Sequence, residues 1–78
     1  MLAFDEELDS SGLKCPMPIL KAKKALSALK AGQVLYVIST DPGSYKDFVA
    51  FSKQTGHELL ESSEADGKYF YYLQKRAD

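Results

Sequence analysis

One cysteine, one histidine and no tryptophan occur in the 78 residues of this chain, and each scarcity closes off a class of function. A single thiol cannot form an internal disulfide, and it lacks the second thiol with which a Cys-x-x-Cys oxidoreductase resolves its mixed disulfide. Cys15 and His57 alone do not supply the ligand set of a zinc site, so neither a metal nor another cofactor is expected. Long apolar runs are missing too: no stretch approaches the ~20 residues that span a bilayer. Residues Met1, Leu2, Ala3 and Phe4 lead straight into Asp5, Glu6 and Glu7, without the basic start and apolar run of a secretory signal. These absences point to the cytoplasm, where a lone thiol stays reduced. Basic excess is also lacking. Ten Lys/Arg face eleven Asp/Glu, a formal net charge of −1, whereas a module that grips nucleic acid through its phosphates is normally basic.

What is present is an apolar fraction of 45 %, ordinary for a compact soluble domain. Residues 1–78 are expected to form one domain, and nothing in them demands more than a monomer. A chain this short buries only about 60–65 % of the surface it exposes when unfolded, so its stability rests on a small core.

Phe4 to Asp9 is a short, charged, strand-like run, ended by Ser10, Ser11 and Gly12. From Pro16 to about Ala31 the apolar residues Ile19, Ala22, Leu26 and Leu29 recur at three- and four-residue steps, with Lys21, Lys23, Lys24 and Lys30 off that stripe. This is the pattern of an amphipathic helix, and Gly32 stands where its C-terminal cap belongs. Gln33 to Thr40 is apolar on both faces, as in a strand near the middle of a sheet. Asp41 and Pro42 read as the cap and first turn of a second helix, which carries Tyr45, Phe48 and Val49 and stops at Gly56. His57 to about Ser63 is a third strand. The Asp66-Gly67 pair is a strong hairpin signal, and Lys68 to Lys75 alternates as a fourth strand. The order βαβαββ predicts an α/β (α+β) two-layer sandwich: a four-stranded mixed sheet with its first two strands parallel and both helices on one face.

Chemistry concentrates in Gly12-Leu13-Lys14-Cys15-Pro16-Met17-Pro18. Pro16 and Pro18 lack N–H groups, which is harmless only in a helix's first turn, and they stiffen the chain there. Cys15 is thereby expected at the N-cap, beside the free N–H groups at the positive end of the helix. Lys14 and Lys21 add positive charge. Together they predict a thiol acidified below its ordinary value of about 8.5, suited to a nucleophile or an anionic cargo. The plainer reading of a free cysteine is a small buried hydrophobe, but the setting between Gly12 and two prolines argues for exposure. A Cys–His dyad would require His57 nearby, and the parallel topology places His57 at the opposite edge of the sheet. With no resolving thiol and no base, the thiol itself is left as the carrier, taking up and releasing sulfur as a persulfide in exchange with partners' cysteines.

The Gly12–Pro18 segment with its Cys-Pro-x-Pro core, the preceding Leu8-Asp9, the Thr40-Asp41-Pro42-Gly43 segment with Asp47 after it, and Thr55-Gly56-His57-Glu58-Leu59-Leu60 resemble the TusA/SirA family of sulfur carriers over nearly the whole chain. The resemblance implies a βαβαββ fold with the last strand inside the sheet, antiparallel to the others. It also implies that Cys15 accepts sulfur from a cysteine desulfurase or rhodanese and hands it to a downstream acceptor protein. Destinations in the family include transfer RNA thiolation, molybdenum cofactor synthesis and sulfur oxidation. A non-catalytic adapter or regulator of the same fold is the alternative.

Three further features have plain readings beside functional ones. Asp41 shares the sheet edge of Cys15, either as a simple helix cap or as a participant in transfer. Lys14 and Lys21 are either solvated charges or docking contacts for an acidic partner. Tyr36, Tyr69, Tyr71 and Tyr72 fit a half-buried pleat. An open aromatic face could also stack single-stranded RNA, but the near-neutral charge argues against direct nucleic-acid binding.

Overall fold

The computed structural model describes residues 2–77, and the two ends of the expected 1–78 domain, Met1 and Asp78, lie outside the described residues. The elements are β1 (Glu6–Ser10), α1 (Met17–Ser27), β2 (Val34–Ser39), α2 (Ser44–Thr55), β3 (Glu58–Ala65) and β4 (Lys68–Gln74). They form one sheet in the order β1-β2-β4-β3. β1 is parallel to β2, while β4 lies between β2 and β3 and is antiparallel to both. The βαβαββ sandwich with its last strand inside the sheet is therefore the observed fold.

Register explains which side chains meet. Leu35 pairs with Leu73 and Val37 with Tyr71, and because side chains alternate along a strand these four share a face. Ala22 and Leu26 of α1 and Phe48 and Phe51 of α2 close onto that face, and all eight are buried. Each large apolar side chain removed from water contributes about 1.5–3 kcal/mol, so this cluster carries most of the folding energy. Tyr71 reaches beneath the start of α2, where its hydroxyl lies 2.6 Å from Ser44 Oγ. Among the described residues no buried side-chain polar atom is left without a partner.

Element boundaries depart from expectation at both helices. α1 ends at Ser27 rather than near Ala31, because Ser27 Oγ donates to the Lys24 carbonyl and the Ala28 and Leu29 N–H groups turn back to Ala25 and Leu26. Gly32 is not its cap. It has φ of +86° in the following turn and donates to the Lys75 carbonyl. The second helix begins at Ser44 with Gly43 as N-cap, so Asp41 and Pro42 form a turn before it, closed by the Ser44 N–H on the Asp41 carbonyl at 3.0 Å. Its inward stripe runs through Ser44, Phe48 and Phe51; Tyr45, expected inside, is half exposed. Gly56 ends α2 in a left-handed conformation, and Asp66 and Gly67 both take positive φ in the β3–β4 turn, as the hairpin signal requires. No helix among the described residues is long and apolar enough to cross a membrane.

Candidate functional site

Because β1 and β2 are parallel, their carboxyl ends reach the same edge of the sheet, and the loops that follow lie side by side. Three hydrogen bonds tie this edge together, one between the strand ends and two between the loops. The Gly12 N–H donates to Thr40 Oγ1 at 2.8 Å, Ser10 Oγ donates to the Ile38 carbonyl at 2.6 Å, and the Cys15 N–H donates to Asp41 Oδ2 at 3.0 Å. The other Asp41 oxygen accepts from the Gly43 N–H at 3.1 Å. Asp41 is thus not the N-cap of α2, and its carboxylate bonds the backbone of Cys15 rather than the sulfur. It pins the backbone of the cysteine to the turn that starts α2.

Cys15 is exposed and stands one residue before the N-cap, which is Pro16. The Met17 N–H donates to the Lys14 carbonyl at 2.9 Å and closes a turn over Cys15 and Pro16, whose shared peptide is cis. Pro18 is buried at the second position of α1. The prolines do occupy the helix entrance, but they hold the cysteine outside the first turn rather than at the cap.

That displacement changes the electrostatics. The Asp47 carboxylate, in the first turn of α2, takes a hydrogen bond from the thiol and pushes its pKa above the ordinary value, with desolvation and then the charges of Asp47 and Asp41 acting in the same direction. A thiol acidified by the α1 terminus, Lys14 and Lys21 is therefore overturned. Helix-end fields fall off within about one turn, and the charges that act on the thiol are those of Asp47 in α2 and Asp41 in the turn before it. Lys14 and Lys21 are exposed beside the site. Asp47 and Thr40 join the candidate group of Gly12, Lys14, Cys15, Pro16, Pro18 and Asp41. The sequence offered a signal for both only through their place in the Thr40–Asp47 segment, since 32 residues separate Asp47 from Cys15.

Large apolar side chains are exposed near the starts of both helices. Met17 and Leu20 of α1 are 41 % and 52 % exposed, and Tyr45 in the first turn of α2 is 51 % exposed. His57 lies elsewhere, before the amino end of β3, where its Nδ1 accepts from the Arg76 N–H at 3.1 Å and its ring packs near Phe51. A Cys–His pair is excluded on that geometry. No group of three or more His, Cys, Asp or Glu among the described residues is arranged to hold a metal ion.

Comparison with known proteins agrees with this layout. The profile of the family described as sulfurtransferase TusA matches residues 6–75. A sulfur carrier protein TusA from Allochromatium vinosum is 63 % identical over 75 residues, covering 96 % of this chain and 99 % of that one. A second, from Pseudomonas entomophila, is 44 % identical over 77 residues, covering 99 % and 96 %. The crystal structure of a SirA-like protein from Desulfitobacterium hafniense superposes with a TM-score of 0.81 at 28 % identity, covering 92 % of this chain and 99 % of that one. With a profile match over residues 6–75, close relatives of nearly the same length and the same fold, this chain belongs to the TusA family of sulfur carrier proteins.

Proposed function

We propose that the protein carries sulfane sulfur as a persulfide on Cys15, a sulfurtransferase in the sense of a covalent carrier, and relays it between partner proteins in a reducing compartment. The observation that carries this reading is the thiol itself: exposed, held in place through Asp41, next to a carboxylate, and without a second thiol or imidazole to complete any self-contained reaction. A cysteine desulfurase or a rhodanese is the donor class, and a further cysteine protein is the acceptor.

Loading follows from these groups. As the donor docks, the Cys15 thiol is deprotonated, and the thiolate attacks the terminal sulfur of the donor's persulfide. The donor's S–S bond breaks, its thiolate departs with the proton, and a Cys15 persulfide remains. Release runs the same exchange toward the acceptor. In the resting state the carboxylate keeps the thiol protonated, and so poorly nucleophilic. This protects an exposed cysteine from adventitious oxidation until a partner covers Met17, Leu20 and Tyr45 and alters the balance. Transfer RNA thiolation, molybdenum cofactor synthesis and sulfur oxidation are the candidate destinations.

Intact-mass spectrometry after incubation with a desulfurase and cysteine, or a rhodanese and thiosulfate, tests the assignment. A gain of about 32 Da that dithiothreitol removes, absent in Cys15→Ser, is expected. No gain with either donor in a folded sample overturns the carrier, as does a Cys15→Ser chain that still supports the cellular pathway; the adapter reading then takes its place.

A further inference from the structure

The face of the sheet away from the helices carries a row of aromatic rings, with Tyr72 buried among its neighbours and Tyr36 and Phe70 part-buried. Tyr36 of β2 stacks on Tyr72 of β4, with ring centroids 4.7 Å apart at 28°. Phe4 stacks on Tyr36 from one side at 5.0 Å, and Phe70 lies nearly parallel to it at 6.1 Å and 9°. The four rings make a continuous stripe. Phe4 is 42 % exposed, and an open groove lined by Tyr36, Phe70, Tyr72, Glu61 and Ser63 runs along it.

The charges beside this stripe are almost all of one sign. In register, Glu7 of β1 lies beside Tyr36 and Asp9 beside Ile38, while Glu61 and Glu58 of β3 lie beside Tyr72 and Gln74. Paired residues point to the same face, so two carboxylates flank the rings on each side. Glu7 is close enough to the Tyr36 hydroxyl to disfavour its ionisation, behind burial and Tyr72. Among the described strand residues one lysine, Lys68, shares the face, and it sits at the far end, where it acts on Asp9. The opposite layer is the reverse: Lys14, Lys21, Lys23, Lys24, Lys30, Lys46 and Lys53 all fall in or beside the two helices.

We propose that this open face is a second docking surface, and that its occupant is an arginine- and lysine-rich segment of a partner protein. Charge complementarity selects that occupant. A guanidinium is planar, stacks on aromatic faces and pairs with carboxylates through parallel N–H donors, and here carboxylates on the outer strands flank rings on the inner strands at about one strand spacing, ~5 Å. The same four carboxylates disfavour the other visitors that an aromatic sheet could take. RNA bases could stack on the rings, but their phosphates would meet four carboxylates against the one lysine, Lys68. A second copy docking through the identical face would set carboxylates against carboxylates. The surface lies on the other side of the sheet from the helices and from Cys15, so a basic partner held there leaves the thiol accessible. The inference stands independently of what Cys15 carries.

The test is a titration of the full-length, isotope-labelled protein with a synthetic peptide of alternating arginine and leucine, followed by amide chemical shifts. Shifts are expected at Glu7, Tyr36, Glu61, Phe70 and Tyr72, with none from Cys15 to Leu20. Affinity should fall at least about tenfold as salt screens the pairs between about 0.05 and 0.3 M. The double substitution Glu7→Lys and Glu61→Lys lies on exposed positions, and a well-dispersed spectrum will show that it folds. It should abolish the shifts, and Tyr36→Leu, which keeps the face apolar and acidic, should weaken binding by a smaller factor. Shifts confined to the helices, tighter binding of an oligothymidylate on the same face, concentration-dependent dimerisation through it, or the same affinity in the charge-reversed chain each overturn the proposal.

Discussion

On one face of the sheet Leu35, Val37, Tyr71 and Leu73 lie under two helices and are essentially inaccessible; on the other, Tyr36, Phe70 and Tyr72 stack with Phe4 between rows of carboxylates. The strands are the same and residues alternate between the two environments, so the contrast isolates what burial does. The covered face holds the fold together by excluding water from closely packed apolar atoms. The open face retains ring contacts but leaves Phe4, Tyr36 and Phe70 partly within reach of solvent, with Tyr72 buried among them at 4 % exposure, and stacking there adds only a modest energy. The thiol belongs to neither face. It stands at the edge where the loops after β1 and β2 meet, in the layer that also carries most of the lysines.

The largest expected difference between the faces is in stability. Leu26→Ala should cost about 2–5 kcal/mol by opening a cavity in the covered core, whereas Phe70→Ala on the open face should cost about 1 kcal/mol. Urea unfolding of the two variants measures both, and equal costs would mean that the open face is as much a core as the covered one. Asp41→Ala comes next. Losing its two hydrogen bonds should cost about 1–2 kcal/mol and loosen the Cys15 turn, seen as faster amide exchange at Cys15 and Gly43 with the open face unaffected. A variant that leaves exchange at Cys15 unchanged removes Asp41 as the positioning residue.

Asp47→Asn should leave stability almost untouched and change reactivity instead. The carboxylate disfavours the thiolate, so in the natural protein the thiolate appears only as pH rises above the ordinary thiol range. Removing that charge should move the pH midpoint of iodoacetamide alkylation downward and speed the reaction several-fold at neutral pH. A midpoint that stays put or rises would give control of the sulfur back to the α1 terminus and the lysines. The smallest effect is expected from Lys14→Glu with Lys21→Glu. Sulfur uptake from a donor should slow, mainly at low salt where attraction between exposed charges is least screened, while binding of the arginine–leucine peptide to the other face stays the same. Unchanged uptake would leave both lysines as solvated charges.

Much of this molecule is written locally. Ile19, Ala22, Leu26 and Leu29 at helical spacing, the apolar run of β2, the Asp66-Gly67 turn and the two prolines beside Cys15 each act within a few residues, because periodicity, turn chemistry and missing N–H groups are properties of short segments. They are sufficient for the element order and the two-layer arrangement, and they single out Cys15 as the candidate residue. Helix ends were less legible: Asp41 and Gly32 carry plausible capping chemistry, yet the chain spends Asp41 on the Cys15 N–H and Gly32 on a turn toward Lys75, both long-range contacts. The ionisation of the thiol lay further still beyond a local reading. Coulomb interactions depend on distance in space, and only the parallel pairing of β1 with β2 brings Asp47 to a cysteine 32 residues earlier in the chain. The acidic aromatic face has the same origin, for Phe4, Tyr36, Phe70 and Tyr72 become one surface only when strand register stacks them. Residue type and spacing thus decided which elements form and where the single thiol stands, and the meeting of distant segments decided which carboxylates face that thiol and which rings and charges share the uncovered face.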